Sequence, residues 1–158
     1  MSTSTDHVAG QVFTAANADN LAQGVLGIQK GTSDVGPTSS TTELDVITAP
    51  AVTIASTGRR LRITGAISAC VQSTTPEDST FEFKIKESST QLDAIRIRPQ
   101  GVTDDADGFT LVAFVDNPSA ASHTYKMTVQ RISGTQNCTI KATSTRPIKI
   151  VVEDVGTT

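Results

Sequence analysis

The chain has 158 residues and a formal net charge of −3 at pH 7, with 37% hydrophobic, 18% charged and only 4% aromatic residues. That length suits one ordinary domain with a proper core, and a composition that is roughly one quarter Ser and Thr is too apolar for disorder yet rich in strand and turn formers. The negative charge excludes an electrostatic pull toward nucleic acid or anionic membrane, and no apolar run approaches the ~20 residues that span a bilayer.

In chain order, residues 1–13 are small and polar without a period and read as a flexible arm. "MSTSTDHVAG" lacks the basic and apolar regions of a signal peptide, so synthesis and assembly in a cytoplasm are expected. Thr14 can cap a short helix over 15–23 that Gly24 ends. So short a helix must lean on this domain or on a neighbour. "VLGIQK" offers a first strand, and "GTSDVGPTSS" reads as a loop rich in Gly, Pro and Ser. "TELDVITA" and "AVTIAS" are short strands broken at Pro50. "RRLRITGAISACVQ" reads as one long strand with Leu61, Ile63, Gly65, Ile67, Ala69 and Val71 on the apolar face and Cys70 on the other.

"TFEFKIKE" alternates cleanly, with Phe81, Phe83 and Ile85 inward, and the "SS" after it predicts a hairpin with "TQLDAIRIRP". "QGVTDDAD" is a loop. "GFTLVAFVD" is apolar on both faces, the pattern of a strand covered on both sides. "HTYKMTVQRI" puts Tyr125, Met127 and Val129 inward. "QNCTIKATST", with Cys138 on the face of Ile140 and Ala142, and "PIKIVVEDV" close the domain. One thiol outward and one inward argue against a disulfide, as does a reducing compartment. The expected architecture is all-β: an antiparallel β-sandwich, jelly-roll-like, with an extended N-terminal arm and one short helix. Residues 1–26 form the expected docking segment and 27–158 the sandwich.

No catalytic constellation stands out. His7 lies in the arm, and His123 opens a strand directly after a turn, where a satisfied turn histidine is expected. Neither has Asp or Cys at metal-ligand spacing. Glu77 and Asp78, then Asp104, Asp105 and Asp107, gather on loops but lack the ligand spacing of a calcium loop and read as solvated charges. Arg60 and Arg62 share one strand face, as do Arg96 and Arg98. Without stacking aromatics they point to cross-strand pairing with Asp or Glu, or to an acidic partner surface, rather than to nucleic acid. No metal, cofactor or catalytic residue is expected, and the chain is not read as an enzyme.

Three phrases carry a resemblance: "GRRLRITG" at 58–65, "SHTYKMTVQRISGT" at 122–135 and "IVVEDVG" at 150–156. In this order they resemble a β-sandwich module of virion surface proteins in tailed phages of actinobacteria. "FTAANADNLAQGVLG" is similar to the leader that precedes it, so the resemblance covers about residues 12–156. It implies a structural protein on the outside of the particle: a capsid decoration protein, a head fibre or a minor tail module. One short sandwich with a sticky leader suits a capsid decoration protein bound to the major capsid protein lattice. The expected location is the capsid exterior of a virion made in a host bacterial cytoplasm, and self-association into a dimer or trimer is expected. Val12, Phe13, Leu21, Val25 and Leu26 are the expected anchors. The competing expectation, a tail-associated receptor- or carbohydrate-binding module, would want exposed aromatics. The chain has no Trp and one Tyr, which alternation assigns to the core.

Overall fold

A computed structural model describes residues 24–38, 41–72, 79–99 and 108–157. The predicted helix and the anchors Val12, Phe13 and Leu21 lie outside the described residues, as do His7 and the acidic positions Glu77, Asp78, Asp104, Asp105 and Asp107. The described residues form thirteen strands and no helix. They are β1 (Gly24–Gly31), β2 (Val35–Thr38), β3 (Leu44–Thr48), β4 (Val52–Thr53), β5 (Arg59–Ile67) and β6 (Ala69–Gln72). Then come β7 (Thr80–Glu87), β8 (Thr90–Ile97), β9 (Phe109–Asp116), β10 (Ser122–His123), β11 (Tyr125–Ser133), β12 (Cys138–Lys141) and β13 (Ile148–Thr157).

Two four-stranded antiparallel sheets face each other, in the orders β1-β13-β5-β9 and β3-β11-β7-β8. Counting only these eight strands along the chain, the orders are 1-8-3-6 and 2-7-4-5, the strand order of a jelly roll. The chain segments that cross between the sheets pair among themselves and close the ends: β2-β12-β6 at one end, β10-β4 at the other. The inward sides of both large sheets supply one core. It includes Leu61, Ile63, Phe81, Phe83, Ile85, Tyr125, Met127, Val129, Ile148, Ile150 and Val152. Phe83 and Phe109 meet across it edge to face, with centroids 4.8 Å apart. Gly65 faces the opposite sheet across the core; a Cβ there would stand 3.0 Å from Met127 Sδ.

The hairpin predicted at Ser88-Ser89 is present, pairing Glu87 with Thr90, with Ser88 at φ 53°. Three strand expectations change. The predicted loop at 31–40 contains β2, which pairs with β12. The predicted long strand breaks at Ser68, and its second half joins a different sheet. All four β6 residues are buried there, so Cys70 lies inside with Cys138 rather than outward, and no disulfide joins them. Finally, among the described residues β9 is an edge strand covered on one side only, with Leu111 and Ala113 buried and Val112 and Phe114 exposed.

Two buried polar clusters fix the ends. At one, Arg59 Nε and a terminal guanidinium nitrogen donate to Asp154 Oδ2 at 2.9 and 2.6 Å, and the Gly156 N–H donates to Asp154 Oδ1 at 2.9 Å. This bonding ties the first residue of β5 to β13. The Asn117 N–H donates to the Arg59 carbonyl at 2.8 Å, which adds the end of β9. At the other end, the buried Gln72 amide donates to the carbonyls of Pro99 (2.9 Å) and Ser79 (3.3 Å) and accepts the Ser79 N–H.

Candidate docking face

Strand register places the outward side chains of the β1-β13-β5-β9 sheet in rows. Ile28, Val151, Thr64 and Val112 form one row, and Val25, Glu153, Arg62 and Phe114 the next. Arg60 and Asp116 follow beyond Phe114. Of seven exposed large apolar side chains among the described residues, five lie on this side: Val25 (58%), Phe114 (50%), Ile28 (47%), Val155 (39%) and Val112 (37%). The other two, Leu44 and Ile132, lie at strand ends on the opposite sheet.

The charges beside Phe114 on this face are paired, while Lys30 and Lys149 stand opposite each other at its Ile148 end with no ion pair among the described residues. Arg62 Nε donates to Glu153 Oε2 at 2.9 Å, a hydrogen bond that raises the Arg62 pKa further above its ordinary value. Arg60 Nε stands 3.0 Å from Asp116 Oδ1, and its guanidinium carbon lies 4.6 Å above the Phe114 ring centroid. A partner covering Val25, Phe114 and Val155 would therefore bury ion pairs at that end of the sheet, which lowers the desolvation cost there. Arg60 and Arg62 thus occupy the shared face expected of them and take the cross-strand carboxylates that their pattern called for.

The outer side of the β3-β11-β7-β8 sheet differs. Glu43 accepts from both Lys84 Nζ (2.7 Å) and Lys86 Nζ (2.5 Å). Arg96 Nε donates to Glu82 Oε1 at 2.7 Å, and Lys126 Nζ to Asp45 Oδ1 at 2.8 Å. The lysine hydrogen bonds hold the Glu43 carboxyl below its usual range, and the Arg96 hydrogen bond does the same for Glu82. One broad side of the sandwich is an ion-paired, water-facing lattice, and the other carries an apolar stripe.

Of the anchors expected from the sequence, Val25 falls on the apolar side, while Leu26 is half-buried and packs on the core. Both belong to β1, which begins at Gly24. Ile28, Val112, Phe114 and Val155 were not among the expected anchors. For Val112 and Phe114 the signal was present in the two-sided apolar pattern of "GFTLVAFVD", there read as full coverage.

His123 is buried rather than merely turn-bound. Its Nδ1 lies 2.5 Å from Glu87 Oε1 and its Nε2 lies 2.9 Å from the Ser119 carbonyl, with Ser119 Oγ at 3.5 Å. A Ser-His-Glu grouping invites comparison with a nucleophilic triad. Here both ring nitrogens face acceptors, an arrangement that suits the doubly protonated ring, which has no lone pair to act as a base. Chiefly through the Glu87 hydrogen bond, its pKa is raised above the ordinary 6.5. The Tyr125 ring stacks nearby at 6.2 Å, and its buried hydroxyl finds no hydrogen-bond partner among the described residues. Desolvation pushes the Tyr125 pKa up. This cluster joins β7, the segment before β10 and β11 as a structural staple.

No family model matches the chain, and no curated protein matches it. Among solved structures, it is similar to a carbohydrate binding module from Cellvibrio mixtus lichenase 5A in complex with cellotriose: 16% identity, TM-score 0.40, covering 85% of this chain and 92% of that one. It is also similar to the C-terminal carbohydrate binding module of LamC, a marine laminarinase from Zobellia galactanivorans, with 16% identity and TM-score 0.37 over 78% and 87% of the two chains. Eiger TNF from S. frugiperda gives 9% identity and TM-score 0.38 over 87% and 94%. Likeness of this degree carries no argument about what the chain binds.

Proposed function

We propose that this chain is a non-enzymatic virion structural protein that decorates a phage capsid, seating the outer side of its β1-β13-β5-β9 sheet on the major capsid protein lattice. The observation that carries the reading is the concentration of five exposed apolar side chains on that one side, opposite a side sealed by ion pairs. The phrases "GRRLRITG", "SHTYKMTVQRISGT" and "IVVEDVG", with their resemblance to virion surface modules, support the choice of partner. Two of them are joined physically, since Arg59 of the first binds Asp154 of the third.

Apolar burial contributes about 25 cal/mol per Å², and a specific contact needs roughly 1,000 Å² or more in total. A modest contact repeated over a symmetric lattice gains from multivalency if copies associate as dimers or trimers. The leader enlarges the contact in this account. The test is co-sedimentation of the purified chain with particles assembled from the cognate major capsid protein. Binding that weakens on truncation of residues 1–23, while the melting temperature holds, supports the reading. The cut stops at 23 because Gly24 begins β1. Absence of binding by the intact chain overturns it.

A further inference from the structure

A cavity of about 410 Å³ opens at the end of the sandwich closed by β2, β12 and β6, opposite the end that holds His123. Its lining is mixed, with Ala69 and Ala142 beside polar side chains from three separate crossovers: Asp34; Ser68; and Lys141, Thr143, Thr145 and Arg146. No aromatic ring lines it.

The walls are fixed by their own hydrogen bonds. Ser68 Oγ donates toward the carbonyls of Lys141 (3.3 Å) and Arg146 (3.2 Å). Asp34 accepts Lys141 Nζ at 3.0 Å and the Ala142 N–H at 2.9 Å, and the Ala142 hydrogen bond, then Lys141, hold its carboxyl below the usual range. Thr143 Oγ1 accepts the Arg146 N–H at 3.0 Å and lies 3.1 Å from Thr145 Oγ1. Asp34 and Lys141 cancel in charge. The Arg146 guanidinium has no partner among the described residues and leaves the cavity with one net positive charge.

We infer that this cavity is a binding site for a small hydroxylated carboxylate of the uronic acid class, held at its carboxylate by Arg146. The guanidinium offers a planar fork matched to a carboxylate. Ser68 Oγ and Thr143 Oγ1 are already engaged with neighbouring backbone groups and still present lone pairs. They therefore favour a ligand with several hydroxyls, each able to donate to them, over hydrogen phosphate, whose oxygens are mostly acceptors. Without a ring to stack on, a neutral sugar lacks its main apolar contact here. The volume falls in the range of small-molecule sites.

The test is isothermal titration calorimetry of the full chain with D-glucuronate, D-galacturonate, D-glucose and inorganic phosphate. At least one uronate should bind with Kd on the order of 1 mM. Glucose and phosphate should bind at least about tenfold more weakly, as should the same uronate to Arg146→Ala or Arg146→Gln. These exposed substitutions should leave the melting temperature and capsid co-sedimentation unchanged, so this site and the docking face are tested separately. Failure of both uronates to bind, equal binding by Arg146→Ala, or phosphate binding as tightly as the uronate overturns the proposal.

Discussion

Replacing Asp154 with asparagine probes the junction that joins β5 to β13. Arg59 and Asp154 are each 2% exposed in their side chains and meet at 2.6 Å. An asparagine side chain has nearly the shape of the native aspartate and can still accept the Gly156 N–H, but it removes the negative charge that meets the buried guanidinium. Breaking one partner of such a pair costs about 3–5 kcal/mol, far above the 0–1 kcal/mol of an exposed pair such as Arg60–Asp116. In a domain of this size that corresponds to a fall in Tm of roughly 6–20 °C. Urea unfolding followed by circular dichroism measures it, provided the transition is two-state. Adding Arg59→Met removes the buried positive charge, so the double variant should recover part of the loss, with a coupling of at least ~2 kcal/mol in the cycle. A cost below about 1 kcal/mol for Asp154→Asn, or simple additivity of the two changes, would refute the reasoning.

Other outcomes follow from the same structure. Tyr125→Phe should be neutral or slightly stabilising in thermal melts, because it removes a buried hydroxyl that has no partner among the described residues; a loss above about 1 kcal/mol would show a hidden hydrogen bond. His123 holds its proton above the ordinary 6.5, so the stability gained from Glu87 is complete below about pH 6.5 and lost as pH rises through the folded value. Glu87→Gln should therefore cost most in acid and progressively less in alkali, as urea melts across pH 5 to 9 would show; a gap that widens with pH contradicts the assignment. Gly108→Ala should cost about 1–3 kcal/mol or more, since its Cβ would stand 2.5 Å from the Ser68 carbonyl oxygen; an unchanged Tm would mean that this approach relaxes freely.

The jelly roll was legible where alternation was strict. "TFEFKIKE" and "HTYKMTVQRI" gave β7 and β11 with the correct inward faces, because in a half-buried strand side-chain period and burial coincide. β2 was hidden because its Gly and Pro read as loop, although these residues suit a short strand at a sheet edge. The break at Ser68 was hidden because small residues continue the apolar period on both sides of it, and only the third sheet reveals that Cys70 points inward. Pairings distant in sequence, such as Arg59 with Asp154 or His123 with Glu87, leave no local pattern. Apolar side chains at Val112 and Phe114 were visible in the sequence, but periodicity alone does not distinguish a face covered by the same chain from one kept for a partner.

The central claim is that the outer side of the β1-β13-β5-β9 sheet is the docking surface. Its most direct test is electron cryo-microscopy of capsids mixed with the wild-type chain or with Ile28→Ser/Phe114→Ser, whose two exposed changes should leave Tm within a few degrees. The account predicts wild-type density on the capsid exterior with this sheet against the lattice, and density lost or much reduced with the double variant. Equal occupancy by the variant, or wild-type density turned so that the Glu43–Lys84–Lys86 side meets the capsid, would contradict it.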